Sequence, residues 1–334
     1  MADETILVGD AGGTNVRFAL AHVSGSHARG GSVALAEVWK RPGADFPTFE
    51  DALGAYLAET NPNLSGASFG LAGQVENGKV PLLNRGWTVD LAQVRDRLKL
   101  SRILVVNDFY AMARSAPELD HTIELSPGTP DPNGSIAVGG PGTGFGVGML
   151  RRYSGKTKGW VVVGGEGGHQ TYAPQTDLEW KLLERLRADL RVGPGDISNE
   201  IVAAGAGFEV SLDAVHAIMG HRQRSLTPGQ TIDMAKGGDP VCIEFCRIRA
   251  ACVMTAMGNM ALACGAFGGV FIAGGVSVHL EPWLREKAAL DRFYNRGPRT
   301  DLLRPIPIRL ITSETAPLLG SAKLWLDERE RGWV

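Results

Sequence analysis

Residues 9–17 read Gly9-Asp10-Ala11-Gly12-Gly13-Thr14-Asn15-Val16-Arg17, and this stretch decides the fold. An apolar run, Thr5 to Val8, leads into it as a strand, and a second, Val16 to His22, leaves it. Two strands around a glycine-rich turn make an antiparallel hairpin, and Ser32 to Trp39 is near enough to add a third strand. A Rossmann fingerprint would continue into a helix and a Walker A loop into Gly-Lys-Ser/Thr; neither follows here. The turn can instead offer backbone N–H groups to a phosphate, with Asp10 able to hold Mg²⁺ through water. A tight hairpin without ligand reads the same, so this stretch alone settles topology rather than chemistry.

A second turn of the same kind, Gly139-Gly140-Pro141-Gly142-Thr143-Gly144-Phe145-Gly146, falls between expected strands at Ser135 to Val138 and Gly144 to Leu150. Two such turns could hold β- and γ-phosphates, Thr143 adding a hydroxyl. A third cluster, Gly268 to Gly275, puts a buried strand directly before Gly274-Gly275, where backbone could lie flat against adenine or ribose. Arg102 to Val106 is a strand of parallel type ending at Asn107-Asp108, the end where an α/β sheet places ligand groups. Asp108 reads equally as the N-cap of a helix from Phe109. Gly165-Glu166-Gly167-Gly168-His169 gathers acceptor and donor side chains of the kind a pyranose needs, although each also reads as a solvated loop group.

Around these motifs, helices are expected at Phe49 to Glu59, Asp177 to Leu190, Ser211 to Met219, Thr231 to Lys236, Pro240 to Cys264 and Leu318 to Glu328. Further strands are expected at Gly66 to Leu71, Gly159 to Val163, Gly269 to Ala273 and Ile306 to Ile311. The 334 residues suit two domains at roughly 150 residues each. Lys and Arg total 34 against 36 Asp and Glu, a net charge of −2, which leaves no basic excess for nucleic acid. No run reaches the ~18 to 20 apolar residues of a membrane span, and the N-terminal residues lack a secretory pattern, so a cytoplasmic location is expected. Cys242, Cys246, Cys252 and Cys264 show no metal-ligand spacing and read as reduced thiols.

Taken in order, the Gly9 to Arg17 stretch, Asn107-Asp108-Phe109, Gly140-Pro141-Gly142-Thr143-Gly144, Gly165-Glu166-Gly167-Gly168-His169 and Gly268 to Gly275 closely resemble the bacterial glucokinase family over nearly the whole chain. The resemblance implies an α/β, two-domain actin-like ATPase (ribonuclease H-like) fold with a deep interdomain cleft, divided as 1–112 plus 316–334 and 113–315. It implies ATP-dependent phosphorylation of glucose at the 6-hydroxyl, feeding glycolysis, with Mg²⁺ and a homodimer expected. By the same resemblance Asp108 matches the catalytic base, and Asn84, Asn107, Glu166, His169 and Glu200 match sugar-binding positions. Asp10, Gly12, Gly13, Thr14, Asn15, Gly142, Thr143, Gly144, Gly274 and Gly275 match nucleotide-binding positions, Asp10 reaching Mg²⁺ through water.

The chain departs from the family pattern at Gln74, where proline is usual, at Leu83, where threonine precedes the asparagine, and at Ile201, where arginine is common. A kinase for another hexose or amino sugar is the alternative these positions keep open, ahead of a silent sugar sensor or an Hsp70-like or actin-like ATPase. The related ROK sugar kinases and repressors carry a cysteine-rich zinc motif beyond the histidine, and residues 170–241 contain no cysteine.

Overall fold

A computed structural model describes residues 3–25, 31–82, 85–154 and 158–332. The chain groups into two compact units, Met1–Asp120 with Leu150–Gly164 and Ser313–Val334, and His121–Met149 with Gly165–Thr312. Up to residue 120 the elements are β1 (Glu4–Ala11), β2 (Asn15–Ser24), β3 (Ser32–Pro42), α1 (Phe49–Thr60), β4 (Gly66–Leu71), β5 (Lys79–Leu82), β6 (Trp87–Asp90), α2 (Leu91–Leu98), β7 (Ile103–Asn107) and α3 (Asp108–Ser115). Beyond it come β8 (Ile123–Ser126), β9 (Ile136–Pro141), β10 (Phe145–Ser154), β11 (Lys158–Gly165), α4 (Asp177–Arg187), α5 (Asn199–Ala203), α6 (Phe208–Ile218), α7 (Pro228–Lys236) and α8 (Pro240–Cys264). The chain continues through β12 (Gly269–Ile272), α9 (Gly275–His279), α10 (Glu281–Leu284), α11 (Lys287–Tyr294), α12 (Thr300–Leu303), β13 (Ile308–Leu310) and α13 (Ala316–Arg331).

In the first unit the strands lie in the order β3-β2-β1-β4-β7. The first three form the expected antiparallel meander, and β4 and β7 run parallel to β1. Because successive side chains of a strand face opposite ways, β1 feeds two cores at once. Leu7 joins Phe18, Phe49, Tyr56 and Phe69 on the α1 side, while Ile6 and Val8 pack with Leu318, Ala322, Trp325 and Leu326 of α13. Each fully buried large apolar side chain contributes roughly 1.5–3 kcal/mol, so a sheet covered on both faces holds its strand ends firmly.

That packing explains why β1 runs farther than expected. Gly9, Asp10 and Ala11 belong to the strand, paired with Phe18, Arg17 and Val16, which leaves only Gly12 to Thr14 as the turn. A Cβ on Gly9 would lie 2.7 Å from a Phe69 ring carbon and 2.9 Å from one of Phe18, so this glycine is there for the aromatic core. The second turn contracts in the same way, with β9 ending at Pro141 and β10 starting at Phe145.

Strand order in the second sheet is β11-β10-β9-β12-β13-β8, with β9, β12 and β13 parallel and β8 antiparallel at the edge. Helix α8 spans the second unit's core, burying Cys242, Cys246 and Cys252. Burial pushes the Cys242 and Cys246 thiols up to about 11 and about 12, which keeps them protonated and inert.

The units meet the sequence at different points from the expected 112/113 and 315/316. The turn Ala116–Glu118 continues α3 and stays with the first unit, because Glu118 bonds Lys323 of α13 at 2.8 Å and Arg114 at 2.9 Å. Arg114, fully buried, also pairs with Asp327 of α13 at 2.6 Å, fixing the far end of α3. Residues 150–164 join the same unit, where Arg331 donates to the Trp160 carbonyl at 3.1 Å.

Candidate active site

The register of the first sheet sets two aspartates near one another. Asp10 pairs with Gly70 of β4, and Gly70 with Val106 of β7, so the ends of all three parallel strands lie level and Asp108 follows directly. Asp10 is buried, and its Oδ2 accepts from Arg17 Nη1 at 2.7 Å, a cross-strand pair. Removal from water raises its pKa and the Arg17 charge works against that rise. Asp108 is pushed up to about 7, first by removal from water and second by the charge of Asp10. The carboxyl thus changes its protonation near neutrality, where a general base is most useful.

Asp108 is not the cap of its helix. Asn107 takes that place, its Oδ1 accepting from the Phe109 N–H at 2.9 Å, while Asp108 Oδ1 shares the same N–H at 2.8 Å. The reading of Asp108 as an N-cap fails because the helix begins one residue earlier than a cap at 108 requires, with Asp108 already its first residue. Among the described residues no other residue donates a hydrogen bond to Asp108 Oδ2.

Beside Asp10, the Gly12 N–H closes the hairpin on the Asn15 carbonyl at 3.4 Å, and the Thr14 carbonyl accepts from Gly43 N–H at 3.0 Å. Among the described residues neither Gly13 nor Thr14 donates its own amide. A Cβ on Gly12 would meet nothing within 4 Å. Packing therefore gives no reason for glycine at this position. Asn84, expected at the sugar, lies outside the described residues.

The second unit repeats the arrangement. In the turn Gly142 to Gly144, Gly142 N–H bonds the Gly144 carbonyl at 2.7 Å, and the Gly142 and Thr143 carbonyls accept from Gly205 and Ala206, both at 2.9 Å. The amides of Thr143 and Gly144 have no acceptor among the described residues, matching Gly13 and Thr14 of the first turn. Two adjacent N–H groups without a protein acceptor suit a phosphate oxygen. The Gly274-Gly275 pair lies beside this turn, since Ile272 pairs with Gly139 and Ala273 N–H bonds the Gly139 carbonyl at 3.0 Å. Gly274 has φ 91°, and a Cβ there would lie 2.3 Å from the Pro141 carbonyl oxygen. Gly275, by contrast, faces open space.

Glu200 sits in the short helix α5, capped by Ser198, and its Oε2 accepts from Phe145 N–H at 2.7 Å. Its Oε1 lies 3.9 Å from His169 Nε2. Glu166 precedes the turn Gly167–His169, closed by His169 N–H on the Glu166 carbonyl at 3.0 Å. The structure thus brings Glu166, His169 and Glu200 together with the second turn. It also shows Glu200 joining that turn to the sugar-type residues, which the sequence did not announce.

The comparisons with known proteins bear on this geometry. A family model described as Glucokinase matches residues 7–328. The glucokinase of Nitrobacter hamburgensis is 34% identical over 326 residues, 96% of this chain and 97% of that one. That of Paramagnetospirillum magneticum is 35% identical over 332 residues, 98% of this chain and 99% of the relative. Among solved structures, a glucokinase from an Antarctic psychrotroph superposes with a TM-score of 0.81 at 33% identity, covering 96% of this chain and 98% of its own.

Proposed function

The chain belongs to the glucokinase family, and from that premise we propose that it transfers the γ-phosphoryl group of ATP to the 6-hydroxyl of glucose with Asp108 as general base. The observation that carries this reading is the Asp108 carboxyl, placed at a parallel strand end, pushed up to about 7 and with one oxygen to which no other described residue donates. It accepts the proton of the 6-hydroxyl as that oxygen attacks phosphorus, while positioning and charge neutralisation lower most of the barrier.

Both units supply groups for nucleotide and for sugar. The amides of Gly13 and Thr14, with Asp10 and Asn15, and those of Thr143 and Gly144 after Gly142 take phosphate oxygens, and Gly274-Gly275 takes the adenosine. Asn107, Glu166, His169, Glu200 and Asn84 take sugar hydroxyls.

Mg²⁺ fits the donor set. Asp10 and Asp108 are oxygen donors close enough for the charge of one to raise the pKa of the other, a repulsion that a divalent cation relieves. Mg²⁺ commonly keeps water and phosphate oxygens as ligands and needs only one or two carboxylates from the protein. Asp10 would hold it through water, and when bound it neutralises phosphate charge.

No helix among the described residues is long and apolar enough to cross a membrane, and the proposed setting is the cytoplasm, at the entry of glucose into glycolysis, as a homodimer. A coupled assay of hexoses and amino sugars with ATP tests the reading, glucose being expected to give the highest kcat/KM. A preferred amino sugar would replace the substrate, and ATP hydrolysis without sugar at the kinase rate would overturn the reaction itself.

A further inference from the structure

Arg85 follows Asn84 in sequence but turns toward the nucleotide side of the first unit. Its Nε and Nη2 both donate to the Gly12 carbonyl oxygen, at 3.2 and 3.0 Å. Its Cζ lies 4.5 Å from the centre of the Trp87 ring, stacking that restrains the guanidinium plane. Its Nη1 fills the space beside Gly43, 0.9 Å from where a Cβ on that glycine would be. Gly43 in turn donates its N–H to the Thr14 carbonyl. Three segments distant in sequence therefore converge on one guanidinium. Among the described residues no carboxylate pairs with it, and removal from water lowers its pKa.

A planar trans peptide points its C=O and the following N–H in opposite directions. Holding the Gly12 carbonyl therefore fixes the direction of the Gly13 N–H, one of the amides left without an acceptor. We propose that Arg85 is a positioning residue for the phosphate-binding turn: its grip on the Gly12 carbonyl aims the Gly13 N–H at the phosphates of the nucleotide, and position 43 is glycine so that the guanidinium can lie there. The inference rests on the kinase reading above and adds to it a device built from a segment otherwise assigned to the sugar.

The experiment measures Mg-ADP and glucose binding separately by calorimetry in the full chain and in Arg85→Gln, Arg85→Lys and Gly43→Ala, with thermal melting as the check on folding. Arg85→Gln loses the charged fork and should weaken ADP binding by about tenfold or more, with glucose affinity within about threefold. Arg85→Lys keeps the charge without the planar pair of donors, and an intermediate loss is expected. Gly43→Ala leaves Arg85 chemically intact but takes its place, so it should reproduce the ADP loss of Arg85→Gln. That last variant separates positioning from mere attraction by a positive charge. A folded Gly43→Ala protein that binds ADP like wild type sinks the inference, as does an Arg85→Gln protein in which glucose suffers equally. A wild-type chain that fails to bind ADP at all removes the kinase reading and this inference with it, so the two failures are distinguishable.

Discussion

The carboxylates of the first unit and the sugar-type groups of the second live in opposite environments. Asp10 is buried and Asp108 half-buried at the ends of tightly packed strands, whereas Glu166 is exposed and the His169 side chain keeps 59% of its surface in water. Proton affinity at the first pair is set by the fold before any substrate arrives. Hydrogen bonds at the second group compete with water until a ligand covers them. The difference separates two carboxylates whose proton affinity is preset by burial from side chains whose hydrogen bonds depend on what covers them.

Asp108→Asn attacks that contrast where its effect is largest. Asparagine preserves the shape and can still accept from the Phe109 N–H, but it cannot take up a proton. kcat should fall by ~10² to 10⁴ while glucose affinity changes by about tenfold or less. Single-turnover kinetics with calorimetry separates the two, and turnover within a few-fold of wild type would falsify the base assignment.

The pH profile probes the same group without removing it. With the Asp108 carboxyl at about 7, log kcat/KM should rise with unit slope below that pH and level off above it, because only the deprotonated form acts as base. Asp10→Asn removes a neighbouring negative charge that helps to raise Asp108, so whatever activity remains should show its inflection at lower pH. A profile flat from pH 5 to 8 breaks the claim that the fold tunes this carboxyl.

On the recognition side, His169→Ala and Glu200→Ala should part company. The sugar assignment proposed for His169 predicts that its loss raises the KM for glucose by about tenfold, at ~1–3 kcal/mol per hydrogen bond, and leaves the KM for ATP nearly unchanged. Glu200 also holds the Phe145 N–H at the exit of the turn Gly142 to Gly144, proposed above to take phosphate, so its loss should raise both constants. Equal effects of the two variants on ATP would erase the distinction between an exposed sugar contact and an anchor of the turn.

How much of this could be read beforehand depended on how local the cause was. Helix Pro240–Cys264 and strand Gly66–Leu71 have the expected bounds because Asp239 caps the helix from within its own sequence and the strand is buried on both faces as a short apolar run. The hairpin of β5 and β6 has no sequence signal, since four-residue strands, one containing Pro81, carry too little alternation. Strand β1 reads shorter in sequence than in the fold because Gly9 looks like a turn residue, and the Phe18 and Phe69 rings that require it there are distant in sequence. Helix α5 is too short to show a period in sequence, and the tie from Glu200 to Phe145 is hidden with it. The glycine clusters, the strand-end aspartate and the Glu166 to His169 turn were visible because each lies within a few consecutive residues. Arg85 was not, for its partner Gly12 is 73 residues away and its glycine, Gly43, looks like any loop glycine.

The smallest effect expected is on stability, and it runs against activity. In the unfolded chain Asp108 ionises at the ordinary carboxylate value of 3.8, while in the folded chain it holds its proton until about 7. Between those values the folded state binds more protons than the unfolded one, so this residue makes stability fall as pH rises through the window. Above about 7 the folded protein carries the full cost of a desolvated charge beside Asp10, and below about 4 it carries none. Asparagine is neutral throughout, keeps the contact with the Phe109 N–H and leaves the Asn107 cap untouched. Asp108→Asn should therefore melt higher than wild type at pH 8, by on the order of a few degrees for units of this size, and the gap should close as the pH is lowered toward 4. Calorimetric scans of both proteins across that range decide the matter. A variant that melts below wild type at pH 8 would mean that the charge is already compensated in the free protein, and the contrast between a strained first unit and a solvated second one would not survive.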